Sequence, residues 1–397
     1  MAAGRAGAFA IAAGRRLEVE RQSDTTHGYA QAADGPDAAR TRSRVREVRR
    51  EITSGEKRTM TVKLRKLERQ VVVITGASSG IGLVTAKLAA KRGAKVVLAS
   101  RDEVDLRSAI AAIRAAGGTA THVVADVADF DAVQRAGDAA VREYGRIDTW
   151  VNNAGVSIYG RIEEVALEDA ERLFRTNYWG VVNGSLVALP HLKRDGGALI
   201  NVGSVLSSTV IPLQGHYAAS KHAVKGFTDA LRIELEEEGA PVSVTLVQPA
   251  AIDTPYPHHA KNYMDVEPTH QPPVYAPDLV AKAILAAAER PERSVKVGGS
   301  AKMFTAMETF APRLGDRFKE KTSFSGSRTD DPPRHADTLH APRPNDGHER
   351  GGYEGHVMES SAYTASRLNK RKVLIGAAAL GVGLAFAARR AGDADDS

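Results

Sequence analysis

Cysteine is missing from all 397 residues of the chain. Disulfide bonds, thiolate metal sites and a cysteine nucleophile are therefore excluded, and the composition fits a reducing compartment. A strong excess of one charge is also missing, because the net charge is +6 and the basic residues are spread out apart from short runs such as 42–50 and 63–69. Such runs are typical of a solvated surface, so we expect no nucleic-acid partner. No apolar stretch near the N-terminus suits a secretory signal.

Composition and apolar patterning divide the chain into one folded domain and its flanks. Residues 1–60 are rich in Ala, Gly, Arg and Asp without apolar periodicity, which indicates disorder. Because Met60-Thr61-Val62 resembles a protein start, we interpret this part as an extension from a miscalled start. A basic targeting arm is the alternative, although acidic residues argue against a transit peptide. The full division is 1–60 extension, 61–300 folded domain, 301–366 helical extension and polar linker, 367–390 membrane-anchoring helix and 391–397 acidic tail.

The longest apolar run lies near the C-terminus. Residues 373–388 are uncharged and stand between Lys370-Arg371-Lys372 and Arg389-Arg390. As a helix they would span about 24 Å at 1.5 Å per residue, against a hydrocarbon core of about 30 Å that flanking basic side chains can help to bridge. We therefore expect a C-terminal transmembrane helix that leaves the folded domain in the cytoplasm. The alternative is a soluble helix that docks on a protein surface.

Between about residues 62 and 299, short apolar runs alternate with helical patterns. The runs 71–74, 95–99, 121–125, 147–151, 198–202, 242–247 and 295–297 are continuous rather than alternating, which favours strands buried on both faces. The pattern predicts an α/β domain with a doubly wound parallel sheet, the Rossmann fold. Ligands of such sheets lie beyond the carboxyl ends of the strands. The glycine loop after the first run, Asn153 and Ser204 all follow strand ends.

The run Thr75-Gly76-Ala77-Ser78-Ser79-Gly80-Ile81-Gly82 joins the first predicted strand to a helix. Glycines let a backbone approach a pyrophosphate, and a helix N-terminus offers N–H donors and a favourable dipole. The spacing differs from G-x-G-x-x-G, but the strand–loop–helix context is that of a dinucleotide loop. The expected cofactor contacts in this loop are Gly76, Ser78, Ser79, Gly80, Ile81 and Gly82.

Arg101 follows the second strand, where an acidic residue would bind the ribose 2′-hydroxyl of NAD. Because an arginine can hold a 2′-phosphate through charge-assisted bonds, the sequence favours NADP(H) over NAD(H); a solvated surface arginine is the alternative. Asp126 ends the third strand and is expected to accept from the adenine amino group, to cap the following helix, or both.

Tyr217 and Lys221 lie one helical turn apart, and Tyr217 stands thirteen residues after Ser204. A phenol has an unperturbed pKa of about 10 and needs help to exchange a proton near neutral pH. The ammonium of Lys221 shares a helix face with Tyr217 and is expected to lower the pKa of the phenol. The Ser204 hydroxyl is then placed to hold a substrate oxygen. Reduction of a carbonyl by hydride needs this set of groups beside a nicotinamide.

From about residue 70 to 299, the chain resembles a short-chain dehydrogenase/reductase of the single-domain type. The motifs that match are the glycine loop, Asn152-Asn153-Ala154-Gly155, Asn177, Ser204, Tyr217 with Lys221, and Pro249 to Thr254, where Ala250 replaces a frequent glycine.

The resemblance implies that Tyr217 is the general acid or base, and that Lys221 binds the nicotinamide ribose and lowers the tyrosine pKa. Ser204 would hydrogen-bond the substrate oxygen, and Asn177 would hold a water of a proton relay. The loop 250–273 would cover the substrate. Further implied cofactor contacts are Val127, Asn153, Ala154, Gly155, Tyr217, Lys221, Pro249 and Thr254. Relatives of this kind pair into dimers or tetramers, and the helix that begins at Tyr217 is a candidate contact.

We therefore expect an oxidoreductase that interconverts a carbonyl and a secondary alcohol with NADP(H). His258-His259 are interpreted as loop residues, not metal ligands, because no other ligands stand at metal spacing. One alternative is a cofactor-binding sensor or scaffold without catalysis. The other is a sugar-nucleotide epimerase or dehydratase, which also uses a Tyr-x-x-x-Lys pair but favours a different glycine spacing and a larger C-terminal substrate domain.

Overall fold

The computed structural model describes residues 62–334 and 336–369. The expected N-terminal extension, the acidic tail and residues 370–390 of the expected membrane-anchoring helix lie outside the described residues. Within the described part of the chain, no helix is both long and apolar enough to cross a membrane.

A parallel seven-stranded sheet forms the centre of the folded domain. Its strands stand in the order β11-β7-β6-β4-β1-β2-β3, and each pair is parallel. The strand order reverses beside β1, so the switch point faces the loops after β1 and β4. The strands are β1 (Val71–Thr75), β2 (Lys95–Ser100), β3 (Thr119–Val124), β4 (Thr149–Asn152), β6 (Gly197–Val202), β7 (Val242–Pro249) and β11 (Ser294–Val297). The predicted doubly wound fold is confirmed.

Helices cover both faces of the sheet. Their bounds are α1 (Gly80–Lys91), α2 (Glu103–Ala115), α3 (Phe130–Tyr144), α4 (Leu167–Phe174), α5 (Gly180–Asp195), α6 (Gly215–Glu237), α7 (Tyr256–His259), α8 (Pro277–Glu289), α9 (Gly299–Phe310), α10 (Pro312–Gly326) and α11 (Ala362–Leu368). On one face, Leu83 of α1 and Ile284 of α8 join the core with Ile74. On the other, Val187 of α5 and Leu235 of α6 join it with Trp150 and other residues. Each fully buried side chain of this size contributes roughly 1.5–3 kcal/mol.

Short strands outside the main sheet attach the C-terminal part of the chain to the domain. β12 (Val357–Met358) pairs in parallel with β10 (Val274–Tyr275), which also pairs with β8 (Ala251–Ile252). A separate pair joins β5 (Ile158–Tyr159) to β9 (Lys261–Asn262). The chain that follows α10 therefore borders residues close to the carboxyl edge of the main sheet.

The segment assigned above to a helical extension and polar linker lies along the domain. After α9 and α10, its backbone exchanges hydrogen bonds with Glu267, whose N–H donates to the Asp331 carbonyl at 3.0 Å and whose carbonyl accepts from Thr329 N–H at 3.0 Å. Leu339 is fully buried beside Leu173 and Tyr217. Backbone hydrogen bonds, and not a periodic apolar face, hold most of this segment to the domain. Its composition therefore resembles that of a linker.

Leu339→Ala should therefore lower the free energy of unfolding by about 2–5 kcal/mol, the usual cost of emptying a packed leucine site. Leu314→Ala is the matched control, because Leu314 is 65% exposed on α10 and exposed substitutions cost within about 0.5 kcal/mol. Denaturant unfolding of both variants measures the difference. Equal unfolding midpoints would show that residue 339 does not pack against the domain.

Candidate active site

The glycine loop packs directly on the Asn152-Asn153-Ala154-Gly155 run. A Cβ atom on Gly76, whose φ is +64°, would lie 2.6 Å from the Ala154 Cα, and one on Gly82 would lie 2.1 Å from the Gly76 carbonyl oxygen. The Asn153 side-chain amide donates to the carbonyls of Thr75 and Gly76, both at 3.0 Å. Glycine is thus required at 76 and 82 by the protein's own packing, and this packing fixes the loop shape.

A cleft of about 1090 Å³ opens beside this loop at the start of α1. The amides of the first turn of a helix have no partner within the helix, so this end suits a phosphate. Of the residues expected to bind the cofactor, the cleft is lined by Gly76, Ser78, Ser79, Gly80, Ile81, Arg101, Asp126, Val127, Asn153, Ala154, Gly155 and Thr254. Gly82 supports the loop from behind, and Pro249 lines a second cleft.

The second cleft, of about 1290 Å³, contains Ser204, Tyr217 and Lys221. Ser204 follows β6 and caps a short 3-10 turn, where its Oγ accepts from the Leu206 N–H at 3.1 Å. Tyr217 and Lys221 lie in the first turns of α6, and both are buried. The strand end and the helix start thus bring together the three residues that the sequence expects to act together.

Burial dominates the electrostatics of this group. It raises the pKa of Tyr217, while hydrogen bonds with the side chains of Ser204 and Tyr256 act in the opposite direction. Burial also lowers the pKa of Lys221 to about 8, and its Nζ donates to the Val202 carbonyl at 3.1 Å. Burial therefore outweighs the lowering of the tyrosine pKa expected from Lys221, whose Nζ lies 5.6 Å from the Tyr217 ring centroid.

Asn177 lies in a π-helical turn, Arg175–Trp179, that interrupts the long helix expected from the sequence. Its side chain is completely buried. The amide nitrogen donates to the Val156 carbonyl at 3.0 Å and to Ser220 Oγ at 3.1 Å, and the oxygen accepts from the Val156 N–H at 2.8 Å. Asn177 therefore joins the loop after β4 to α6.

Tyr256 is a site residue that the motifs did not single out. Its ring meets that of Tyr217 edge to face at 5.4 Å, and its hydroxyl donates to Ser157 Oγ at 2.7 Å. Tyr256 borders both clefts. Burial raises the pKa of Tyr256 well above its usual value, so the phenol stays protonated. The sequence feature that could have identified Tyr256 is its position two residues after Thr254.

Helices α9 and α10 form a second part of the site that the sequence did not reveal. Phe304 and Phe318 line the second cleft, with ring centroids 6.4 Å apart. Val205, Leu206 and Ile211 line it as well. The loop 250–273, expected to cover a substrate, contributes Thr254, Tyr256 and residues 269–273 to the same cleft. The cleft around the catalytic group is therefore largely apolar.

Arg101 and Asp126 are both committed to partners. The Arg101 guanidinium donates to the carbonyls of Thr338 and Leu339. Asp126 pairs with Arg172 at 2.5 Å and accepts from the Ala128 N–H at 3.0 Å. The N-cap of α3 is Asp129, whose side chain accepts from the Asp131 N–H. The capping role considered for Asp126 therefore belongs to Asp129.

His258 and His259 lie in the short helix α7 and contact carboxylates. His258 Nδ1 is 3.3 Å from Glu267, and His259 Nε2 is 2.8 Å from Asp346. Across residues 62–334 and 336–369, no group of three or more His, Cys, Asp and Glu side chains is arranged to hold a metal.

Comparisons with known proteins agree with this architecture. The family model described as short chain dehydrogenase matches residues 70–264. The chain is 43% identical over 334 residues to an uncharacterized oxidoreductase, YxnA, of Bacillus subtilis strain 168, covering 83% of this chain and 93% of that protein.

Two solved structures share the fold. A short-chain dehydrogenase/reductase from Burkholderia phymatum in complex with NAD has a TM-score of 0.58 and 26% identity, covering 67% of this chain and 99% of that one. An alcohol dehydrogenase from Thermococcus sibiricus complexed with 5-hydroxy-NADP has a TM-score of 0.51 and 26% identity, covering 57% of this chain and 94% of that one.

Gly82→Ala should distort the glycine loop, because its Cβ would meet the backbone oxygen of Gly76. The expected result is loss of stability and of nucleotide binding, measured by thermal unfolding and by titration with NADPH. Gly226→Ala is the control, since a Cβ there meets nothing within 4 Å and alanine in a helix is favoured over glycine by roughly 0.5–1 kcal/mol. If both variants bound NADPH equally well, the packing argument for Gly82 would be wrong.

Proposed function

The chain belongs to the short-chain dehydrogenase/reductase family, and from that premise we propose that it transfers hydride between NADP(H) and a carbonyl or secondary alcohol, with Tyr217 as general acid and base. The observation that carries the proposal is the meeting of Ser204, Tyr217 and Lys221 in one cleft. Ile81, Asn153, Gly155, Thr254 and Tyr256 border this cleft and the glycine-loop cleft alike. A dinucleotide in the one can therefore present its reactive end to a substrate in the other.

The residues around the glycine loop fit a dinucleotide. Amides at the start of α1 suit the pyrophosphate, although the Gly80 N–H donates to the His348 carbonyl in this structure. Asp126 and Val127 border the place for the adenine. Asn153 and Gly155 lie between the two clefts. When bound, the nicotinamide supplies the hydride. The chain's own residues bind, orient and exchange protons.

In the direction of reduction, the hydroxyls of Ser204 and Tyr217 donate hydrogen bonds to the substrate carbonyl oxygen. As hydride reaches the carbon, the Tyr217 hydroxyl gives its proton to that oxygen, which leaves a phenolate and an alcohol. The Lys221 ammonium, held by the Val202 carbonyl, stabilises that negative charge. In oxidation the phenolate takes the proton back. The raised pKa of Tyr217 suits the proton donor, because the phenol is protonated before hydride arrives.

The lining of the second cleft supports an apolar substrate. Phe304, Phe318, Leu206 and Ile211 surround the catalytic group, and burial of their surfaces against a ligand favours a bulky ketone or aldehyde. A sensor or scaffold would have no use for the buried Ser204, Tyr217 and Lys221.

We also propose a homo-oligomer that pairs through α5 and α6. Trp179, Leu186 and Ile233 are each at least half exposed on or next to these helices. Exposed apolar side chains on neighbouring helices favour association with a second copy.

Tyr217→Phe removes the proton donor and keeps the ring, so the fold and cofactor binding should remain. Turnover of an accepted ketone should fall by about 10²–10⁴, the usual contribution of general acid–base catalysis. Tyr144→Phe, on α3 and outside both clefts, is the matched control and should keep full activity. Unchanged turnover of Tyr217→Phe would remove Tyr217 from the mechanism.

Preference for NADP(H) is proposed from Arg101, which lines the cleft together with Ser78 and Ser100. Arg101→Ala should weaken NADPH by about 1.5–3 kcal/mol, or roughly one to two decades, and NADH much less. Arg107→Ala is the control, since Arg107 is exposed on α2 and pairs with Glu103. Titrations with both cofactors measure the difference. Equal weakening of NADPH and NADH would refute the phosphate contact.

The competing interpretation of cofactor choice rests on Asp102. One oxygen caps α2 through the Asp105 N–H at 2.9 Å, while Oδ2 is buried without a hydrogen-bond partner at the same cleft. A ribose 2′-hydroxyl would satisfy that oxygen. Tighter binding of NADH than NADPH by the unmodified protein would favour Asp102 as the selecting residue.

A further inference from the structure

A stretch of chain far from the family motifs lies across the cofactor cleft. We name residues 336–351 the strap. Thr338, Pro342, Arg343 and Asp346 of the strap line the same cleft as the glycine loop. The cleft therefore has two walls. One comes from the sheet edge and α1, and the other comes from chain more than 240 residues after the end of α1.

The first half of the strap is held beside the expected adenine end. Arg101 donates to the carbonyls of Thr338 and Leu339, and Arg172 Nε donates to the Leu339 carbonyl at 3.1 Å. The Leu339 side chain is buried in the cluster that also contains Tyr217. Two arginines and one buried leucine thus anchor this half.

The second half is held over the phosphate loop. The Asp346 N–H donates to Asp105 Oδ2 at 3.1 Å, and the Asp346 carboxylate meets His259 at 2.8 Å. The His348 carbonyl accepts from the Gly80 N–H at 2.8 Å, and Glu349 pairs with Lys87 of α1 at 2.6 Å. This half is held by polar contacts, most of them at least partly exposed, which open more easily than a packed core.

The strap continues to the catalytic side. The N–H groups of Gly351 and Tyr353 both donate to Asp253 Oδ1 at 3.1 Å. The Tyr353 ring meets His270 at 6.4 Å, and His270 stacks on Tyr256 at 6.0 Å. The chain that leaves the strap thus reaches the ring group of His270 and Tyr256.

We propose that the strap is a cofactor clamp: its residues 340–351 close over bound NADP(H), and the cofactor exchanges only when this half lifts. Arg343 lines the cleft, where it pairs with Asp346, and its guanidinium would contact the phosphates of the cofactor. The inference rests on the nicotinamide cofactor of the proposed function. A cleft lined by both the strap and the glycine loop stays open in the seated position, which favours a clamp over a plug. This half contains the sequence Pro342-Arg343-Pro344-Asn345, in which Asn345 has a φ of +65°.

The absence of cysteine allows a direct test by a single engineered disulfide in the full chain. A Cβ atom on Gly347 would lie 3.0 Å from the Asp105 Cβ, and an outward shift of about 0.5–1 Å gives the roughly 3.5–4.5 Å of a disulfide. The Asp105→Cys, Gly347→Cys double variant is loaded with NADPH and then oxidised. Release of NADPH is followed by its fluorescence during a chase with excess NADP⁺. The same protein reduced with dithiothreitol, and each single variant, are the controls.

The clamp predicts that the oxidised protein releases NADPH at least about tenfold more slowly than its reduced form, because release waits for the lid. Binding of NADPH should slow to a similar extent when the double variant is oxidised before NADPH is added. Equal rates in both forms would overturn the clamp. Oxidised protein that excludes NADPH altogether would overturn it in favour of an inhibitory plug. Failure of the two thiols to join would show that residue 347 does not sit on α2.

A second variant covers the case in which the double variant does not fold. Glu349→Gln removes the half-exposed pair with Lys87 and should speed NADPH release by up to about fivefold, given the usual strength of such pairs. Glu354→Gln, an exposed carboxylate beyond the strap, is its control. Identical release from both variants would count against the clamp. An unmodified protein that binds no nicotinamide cofactor would remove the proposed function and the clamp with it, whereas binding with unchanged exchange would remove the clamp alone.

Discussion

The close approach of two backbone segments at the carboxyl edge of the sheet is the constraint on which the site depends. Gly76 and Ala154 meet so tightly that a side-chain atom on Gly76 would overlap the Ala154 backbone. Asn153 then bonds the Thr75 and Gly76 carbonyls. This contact joins the ends of β1 and β4 and fixes the phosphate loop. It also places Asn153 where both clefts meet. The proposed cofactor and substrate places meet at this contact, because Asn153 borders both clefts.

Burial sets the chemistry of the catalytic group. The same desolvation raises the pKa of Tyr217 and lowers that of Lys221 to about 8. Both pKa shifts favour the neutral forms of Tyr217 and Lys221. They also make a phenolate costly unless Lys221 is charged, which it is below about pH 8. The proposed mechanism uses this pair to donate a proton and to stabilise the anion that remains.

The fold and the central site followed from the sequence because their signals are local. Continuous apolar runs gave the parallel strands, and strand ends gave the places of the glycine loop, Asn153 and Ser204. The π-turn at Asn177 was not predictable, since it depends on packing against Val156 and Ser220. The partners of Arg101 were equally out of reach, because Thr338 and Leu339 use backbone carbonyls that carry no residue-specific pattern. The same is true of the strap, whose polar composition resembles that of a linker.

The central claim is that hydride passes between a nicotinamide and a carbonyl carbon in the cleft of Tyr217. It is tested most directly by offering the enzyme NADPH deuterated at C4 of the nicotinamide, on either face, together with a panel of apolar ketones and aldehydes. The account predicts an alcohol with one deuterium on the former carbonyl carbon, delivered from one face of the cofactor only. Alcohol without that deuterium, or bound cofactor that reduces no carbonyl compound in the panel, would contradict it.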